Sequence, residues 1–273
     1  MKKNMLMFVF AAALCCAVTG CRSKDKIDLT SSHTTAAEET MSPSTEAPET
    51  ETAAETAEES ASSSSDGKAP SDALSIRSQI ATEKEGKVSI EYPILSNLRD
   101  SGTEDTVNAL LKENATRILS DYEVSPETDT VEIKCSIISL DRSKAVIAYE
   151  GSLMKQGAAH PTGIFYTTTV DLGDGTLSGL SDYADAYTMA GYIISDDCVV
   201  YRPSESAEIR EYLKGLSLEE CWDILKQCDF TAQNLSGFPQ AFSYENEGSI
   251  YISMPVPHAL GDYAIIRYTP DTK

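Results

Sequence analysis

The stretch VEIKCSIISLDRSKAVIAYE, residues 131–150, decides the fold class. In Val131-Glu132-Ile133-Lys134-Cys135-Ser136-Ile137, apolar and polar residues alternate, the period of a strand with one buried face. A second run, Ala145-Val146-Ile147-Ala148-Tyr149-Glu150, follows after the polar link Asp141-Arg142-Ser143. Two such runs joined by so short a link predict an antiparallel hairpin.

Working outward, residues 163–172 form a third strand that ends at the turn signal Gly173-Asp174-Gly175. Upstream, Lys87-Val88-Ser89-Ile90-Glu91-Tyr92 alternates and reads as a strand. Residues 105–122 place Val107, Leu110, Leu111, Ile118 and Leu119 at helical spacing, with Thr103 available as the N-cap. Two further helices are expected near 207–213 and 217–227, the second opened by a Ser217/Glu220 capping box. Strands at 241–244, 249–254 and 263–268 close the chain. Runs of strands with interspersed helices and little βαβ rhythm predict an α+β fold. Its expected form is an antiparallel sheet with one long helix and shorter helices. No internal repeat is present.

The chain has 273 residues, and 43 acidic against 22 basic side chains give a net charge of −21. Nucleic acid is excluded as a partner by that balance, because phosphate binding needs a basic face. Adhesion to an anionic lipid surface through charge is excluded in the same way. The first 21 residues, MKKNMLMFVFAAALCCAVTGC, reach a membrane by another route. Lys2 and Lys3 precede an apolar run over 5–18. That run is shorter than the ~20 residues a bilayer core requires, and it fits the apolar region of a secretory signal. It ends in Val18-Thr19-Gly20-Cys21, which resembles the bacterial lipobox. By that resemblance the chain is cut before Cys21 after lipid is attached to its thiol. Two acyl chains suffice for stable anchoring.

Residues 31–72 are almost only Ser, Thr, Ala, Glu and Pro, with 10 acidic residues and 1 basic one. Such a segment buries too little apolar area to offset the entropy of ordering, and its charges repel one another. The expected organisation is therefore three parts. Residues 1–20 are a lipoprotein signal peptide. Residues 21–72 are the lipidated Cys21 and a disordered acidic tether. Residues 73–273 are the folded module, itself net −15. The expected location is the extracytoplasmic face of a bacterial cell membrane, held by lipid.

Chemistry-bearing residues are few. His160 and His258 are each flanked by proline, in His160-Pro161 and Pro257-His258, and no Gly-x-Ser-x-Gly accompanies them. The bland reading is that each imidazole fixes its own loop. If the two loops meet, His160, Pro161, Tyr166, His258 and Tyr263 form a candidate ligand-binding rim. Asp171-Leu172-Gly173-Asp174-Gly175 carries carboxylates like a calcium loop, but Gly173 stands where a ligand is due and no late Glu follows. A tight turn explains it, and no metal is expected. Cys221 and Cys228 lie seven residues apart on one expected helix. That is ~10.5 Å along the axis, beyond the ~7 Å Cα separation of a disulfide. Export would permit other pairings with Cys135 or Cys198, but buried thiols are the simpler reading. No CxxC occurs, so zinc is not expected, nor any other cofactor. The 13 Tyr against 6 Phe and 1 Trp suit either half-buried sheet faces or a binding surface.

Three local motifs in order carry a resemblance. They are Ile90-Glu91-Tyr92-Pro93 before the long helix, Gly157-Ala158-Ala159-His160-Pro161 after the hairpin, and Gly175-Thr176-Leu177-Ser178-Gly179-Leu180-Ser181-Asp182 leading into a helix. With a final strand pair around 255–261, they make roughly residues 80–270 resemble an extracytoplasmic domain of unknown function. That domain is found in the RsiV family of lysozyme-sensing anti-sigma factors and as the accessory domain of PdaC-type peptidoglycan deacetylases. The resemblance implies a binding module and transfers no catalytic residue. The leading expectation is non-catalytic recognition of a wall-associated ligand, either a basic lysozyme-like muramidase or peptidoglycan. The alternatives are a wall-active enzyme using acidic residues that the sequence does not single out, and a subunit of a membrane-associated complex.

Overall fold

The hairpin at 131–150 lies at the centre of a six-stranded sheet. The structure, a computed structural model, describes residues 75–204, 206–231 and 237–270. The signal peptide, lipidated Cys21 and tether expected over 1–72 lie outside the described residues. The strands are β1 (Arg77–Glu85), β2 (Val88–Ser96), β3 (Thr130–Leu140), β4 (Lys144–Met154), β5 (Thr162–Asp171) and β6 (Leu177–Ser178), hydrogen-bonded in that order. The expectation of an antiparallel sheet needs one correction: β2 and β3 are parallel, with Val88 opposite Val131 and Ile90 opposite Ile133. The cause is the helix between them. Helix α1 (Ser101–Asp121) carries the chain back across the sheet, so β3 starts again in the direction of β2.

The apolar stripe of α1 sets Val107, Leu111, Ala115 and Ile118 against Val131, Ile133, Ala145, Ile147, Tyr149 and Tyr166 of the sheet, all buried. Two tyrosines brace this interface. Tyr149 and Tyr166 stack at 4.7 Å, and the Tyr166 hydroxyl donates to the Ala115 carbonyl at 2.5 Å. The helix begins one turn earlier than its apolar pattern suggests. Its N-cap is Asp100, whose carboxylate accepts from the Thr103 amide at 2.9 Å, so Thr103 is inside the first turn and not the cap. In the β3–β4 turn, Asp141 Oδ1 accepts the amides of Ser143 and Lys144 at 2.7 and 2.8 Å, which fixes the register of the pair.

The rest of the chain builds a second sheet where one was expected. Its strands β7 (Val199–Arg202), β8 (Phe242–Asn246), β9 (Ser249–Pro255) and β10 (Tyr263–Tyr268) are ordered β7-β10-β9-β8, all antiparallel. Helices α2 (Ala186–Ile193), α3 (Ala207–Lys214) and α4 (Leu218–Leu225) cover one face. There Ile250, Ile252, Met254, Ala264 and Ile266 meet Ile193, Ile209, Leu213 and Leu225. The Ser217/Glu220 capping box is present at the start of α4. The other face of this sheet, through Tyr244 and Ile265, meets Val146, Ala148 and Phe165 on the side of the first sheet away from α1. The layers therefore run α1, first sheet, second sheet, short helices, an α+β architecture. Among the described residues, no helix is long and apolar enough to cross a membrane.

Candidate functional site

The two sheets do not close completely where they face each other. Strand alternation that sends Ile147, Tyr149 and Tyr166 toward α1 sends Ala148, Glu150 and Phe165 the other way. Opposite them stand Tyr201 and Arg202 of β7, Tyr244 and Asn246 of β8, and Tyr251 of β9, around a cleft of ≈ 240 Å³.

The cleft is built from aromatic rings and one ion pair. Tyr244 and Tyr251 stack at 4.7 Å with 6° between their planes. Tyr201 meets Tyr251 edge-on at 5.0 Å, and the Arg267 guanidinium lies over the Tyr201 ring at 5.7 Å. Glu150 accepts from the Tyr263 hydroxyl at 2.6 Å and pairs with Arg202 at 3.0 Å. Arg202 in turn lies over Phe165 at 5.5 Å, and Phe165 stacks on Tyr263 at 5.3 Å. Burial, then the neighbouring Tyr251 and Tyr201, pushes the Tyr244 hydroxyl up to about 12. Burial, then the hydrogen bond to the Glu150 carboxylate, raises Tyr263 further. These phenols stay neutral and are not bases, and Tyr263 serves as a hydrogen-bond donor.

A second recess of ≈ 320 Å³ adjoins the first, with Phe165 in the wall of both. Thr162, Gly163, Phe238, Asp262 and Tyr263 also line it. At this end the two proline-flanked loops meet. The His160 and His258 rings lie 6.0 Å apart at 25°. His258 Nδ1 is 2.8 Å from Asp262 Oδ1, while Asp262 Oδ2 accepts the Gly163 amide at 2.7 Å.

Of the five expected rim residues, the structure brings His160, Pro161 and His258 together at the surface, with Tyr263 half-buried beside them. Tyr166 is a correction: it is 0% exposed and points to α1, because position 166 falls on the core side of the β5 alternation. Glu150 and Arg202 escaped the sequence reading, since neither stands in a motif and their pairing joins β4 to β7 across the sheets. The signal that existed was the tyrosine excess, of which Tyr201, Tyr244 and Tyr251 are part.

Other candidates are structural. Asp171 accepts the Gly173 amide at 2.7 Å and Asp174 the Thr176 amide at 2.9 Å, so each carboxylate closes its own turn. Among the described residues no group of three or more His, Cys, Asp or Glu is placed to hold a metal. Cys135, Cys198, Cys221 and Cys228 are free thiols. Burial pushes Cys198 up to about 11 and Cys135 and Cys221 up to about 12, and drives Cys228 well up too, which makes all four poor nucleophiles.

No family model matches the chain, and no curated protein does. Several solved structures are similar, two of them from one family. One is a DUF3298 family protein from Pseudomonas aeruginosa PAO1, at 11% identity over 66% of this chain and 82% of that chain, with a TM-score of 0.34. The other is a member of the same family from Bacteroides fragilis, at 14% identity over 72% of this chain and 90% of that chain, with a TM-score of 0.37. No residue is carried over from either.

Proposed function

We propose that this chain is a surface-anchored lipoprotein whose folded module binds a cell-wall-associated ligand without catalysis. The observation that carries the reading is the tyrosine-lined cleft between the sheets. The rings there are preassembled by stacking, and Tyr201 is exposed, as in surfaces built for contact. Glycosidic chemistry would need two carboxylates flanking a bond, ~5–10 Å apart, with one of them free to act as an acid. The carboxylate lining the cleft, Glu150, is held by Arg202 and Tyr263, and the one lining the adjoining recess, Asp262, by Gly163 and His258. Each pocket thus has one lining carboxylate and not a flanking pair.

The resemblance to RsiV-type and PdaC-type modules supplies the ligand class, a basic muramidase or peptidoglycan. Lipid on Cys21 would hold the module at the membrane, and the acidic tether of ~50 residues would let it reach roughly 40 Å on average. The net −21 of the chain would accelerate encounter with a basic protein and make that encounter salt-sensitive. The test is binding of the full chain, in detergent micelles, to lysozyme and to purified peptidoglycan at low and at physiological salt. Sub-micromolar binding to either at physiological salt is expected. Loss of both on raising the salt would reduce the interaction to bulk charge attraction and end the reading.

A further inference from the structure

We infer that the cleft between the two sheets is the ligand site of the module, and that it seats one ring of a carboxylate-bearing muropeptide. This rests on the reading of the chain as a wall-binding module and assigns that reading a place and a chemistry.

Size comes first. At ≈ 240 Å³ the cleft is smaller than the roughly 300–1,000 Å³ of pockets that enclose a whole small ligand. It has room for a single ring, with the remainder of a larger molecule outside. A sugar within a polymer has that form.

The walls then fit a sugar ring. A pyranose presents a face of C–H bonds to an aromatic ring and a girdle of hydroxyls to planar polar groups. Tyr201 is 46% exposed, yet it is held by Tyr251, which is itself stacked on Tyr244. It is therefore a rigid platform that loses little entropy on binding. Glu150, Arg202 and Asn246 supply planar polar groups on the same walls. Glu150 and Arg202 are 48% and 44% exposed although paired with each other, so each keeps capacity for a further partner.

Charge selects what the sugar carries. The chain as a whole is strongly acidic, but the cleft is lined by one guanidinium, Arg202, and one carboxylate, Glu150, and a second guanidinium, Arg267, lies over the ring of the lining Tyr201. A cationic side chain entering here would meet arginine. A carboxylate would find the Arg202 guanidinium, which is 44% exposed and whose Nη1 lies 3.0 Å from Glu150. The acidic remainder of the surface is free to attract a basic protein elsewhere, so the cleft distinguishes between the two ligand classes of the proposed function.

The experiment is calorimetric titration of the full chain in detergent micelles with four probes. These are a disaccharide-tetrapeptide muropeptide, the same compound with its carboxylates amidated, an N-acetylglucosamine trimer, and lysozyme. Tyr201→Ala and Arg202→Gln are compared with the parent, and thermal unfolding confirms that each variant is folded. The muropeptide should bind, amidation should weaken it about tenfold, and each variant should weaken it by at least about tenfold, as for a central aromatic or arginine anchor. Equal affinity for the amidated form or the trimer would overturn the carboxylate. Muropeptide binding that survives Tyr201→Ala would overturn the cleft and leave the wall-binding reading standing. Lysozyme binding alone would overturn the inference but keep the proposed function, and silence from all four probes would end both.

Discussion

Each half of the molecule withdraws one carboxylate from water, and the two are treated in opposite ways. In the first half, Asp129 sits beside β3 with its side chain 3% exposed. Lys155 donates to it at 2.7 Å, and the amides of Ser125 and Gln156 at 2.9 and 2.8 Å. The ammonium first, then the two amides, more than offset the lost hydration and hold its pKa down at about 2. In the second half, Asp229 lies between the turn at Leu180 and strand β8. Its carboxylate accepts the Leu180 amide at 2.9 Å, the Ser243 amide at 2.6 Å and the Ser243 hydroxyl, all neutral donors. Burial outweighs these bonds and raises it to about 6. The first half has long elements that a charged seam merely locks. The second has three eight-residue helices, too short to persist alone, and a polar anchor whose burial opposes its charge.

The largest effect expected is on the first half. Tyr166→Ala removes the ring stacked on Tyr149 and its bond to α1, leaving a cavity under the helix. Unfolding in urea should show a loss of about 4 kcal/mol. A loss below about 1.5 kcal/mol would mean that α1 does not depend on the ring beneath it, which would dissolve the contrast.

Next comes acidity. Because the native pKa of Asp229 is raised, its contribution is fully present below the usual value of 3.8 and is lost as pH rises through about 6. The swing is on the order of 3 kcal/mol. Asp229→Asn should remove that limb from a plot of unfolding free energy against pH. Asp129, held low, acts with the opposite sign: its contribution is present above the ordinary carboxylate range and is lost as pH falls through about 2. Asp129→Asn should therefore remove a limb on the acid side and leave the pH 4–6 region as it was. If both variants altered the same limb, the two halves would not be separable by charge.

Smaller again is the cap of α4. Ser217 accepts the Glu220 amide while the Glu220 carboxylate accepts from Ser217, so both ends of the box are closed. Ser217→Ala should cost about 1 kcal/mol. Faster hydrogen exchange confined to α4 would show that the second half is held helix by helix, and exchange spreading to α1 would show one cooperative unit.

What was legible in the sequence follows the same division. Strand β3 alternates within itself, β4, β5, β9 and β10 are short apolar or β-branched runs bounded by turns, and α1 carries its own apolar stripe, so local pattern sufficed. The capping box of α4 was legible because a cap is made within four residues. Strand β1 was not, since its residues are mostly exposed and carry no apolar period. Strand β7 has four residues and gains its identity only by pairing with β10, some sixty residues later. Meeting of the His160 and His258 loops could be posed from their proline flanks, but only the packing of β5 beside β10 brings it about. Glu150 and Arg202 were invisible for the deeper reason that an ion pair between two sheets has no spacing in the chain. Tyr166 misled because a tyrosine in a strand has two faces to choose from, and its neighbours Phe165 and Thr167 are equally able to be inside.

The smallest expected change is the most informative about function. Tyr166 and Tyr201 are the same residue in the two halves, one sealed under α1 and the other 46% exposed at the cleft. Tyr201→Ala should lower stability by less than about 1 kcal/mol, because the half-exposed ring would lose only its edge-on contact with Tyr251 and the Arg267 guanidinium over its face. Thermal unfolding of the two alanine variants side by side measures the difference directly. If Tyr201 proved as costly to remove as Tyr166, the cleft would be a seam of the core, and its tyrosines would be explained by folding alone. A near-silent Tyr201 would leave an ordered, half-exposed aromatic ring flanked by Arg267 and Tyr251 that contributes little to the fold, the state that the proposed ligand site requires.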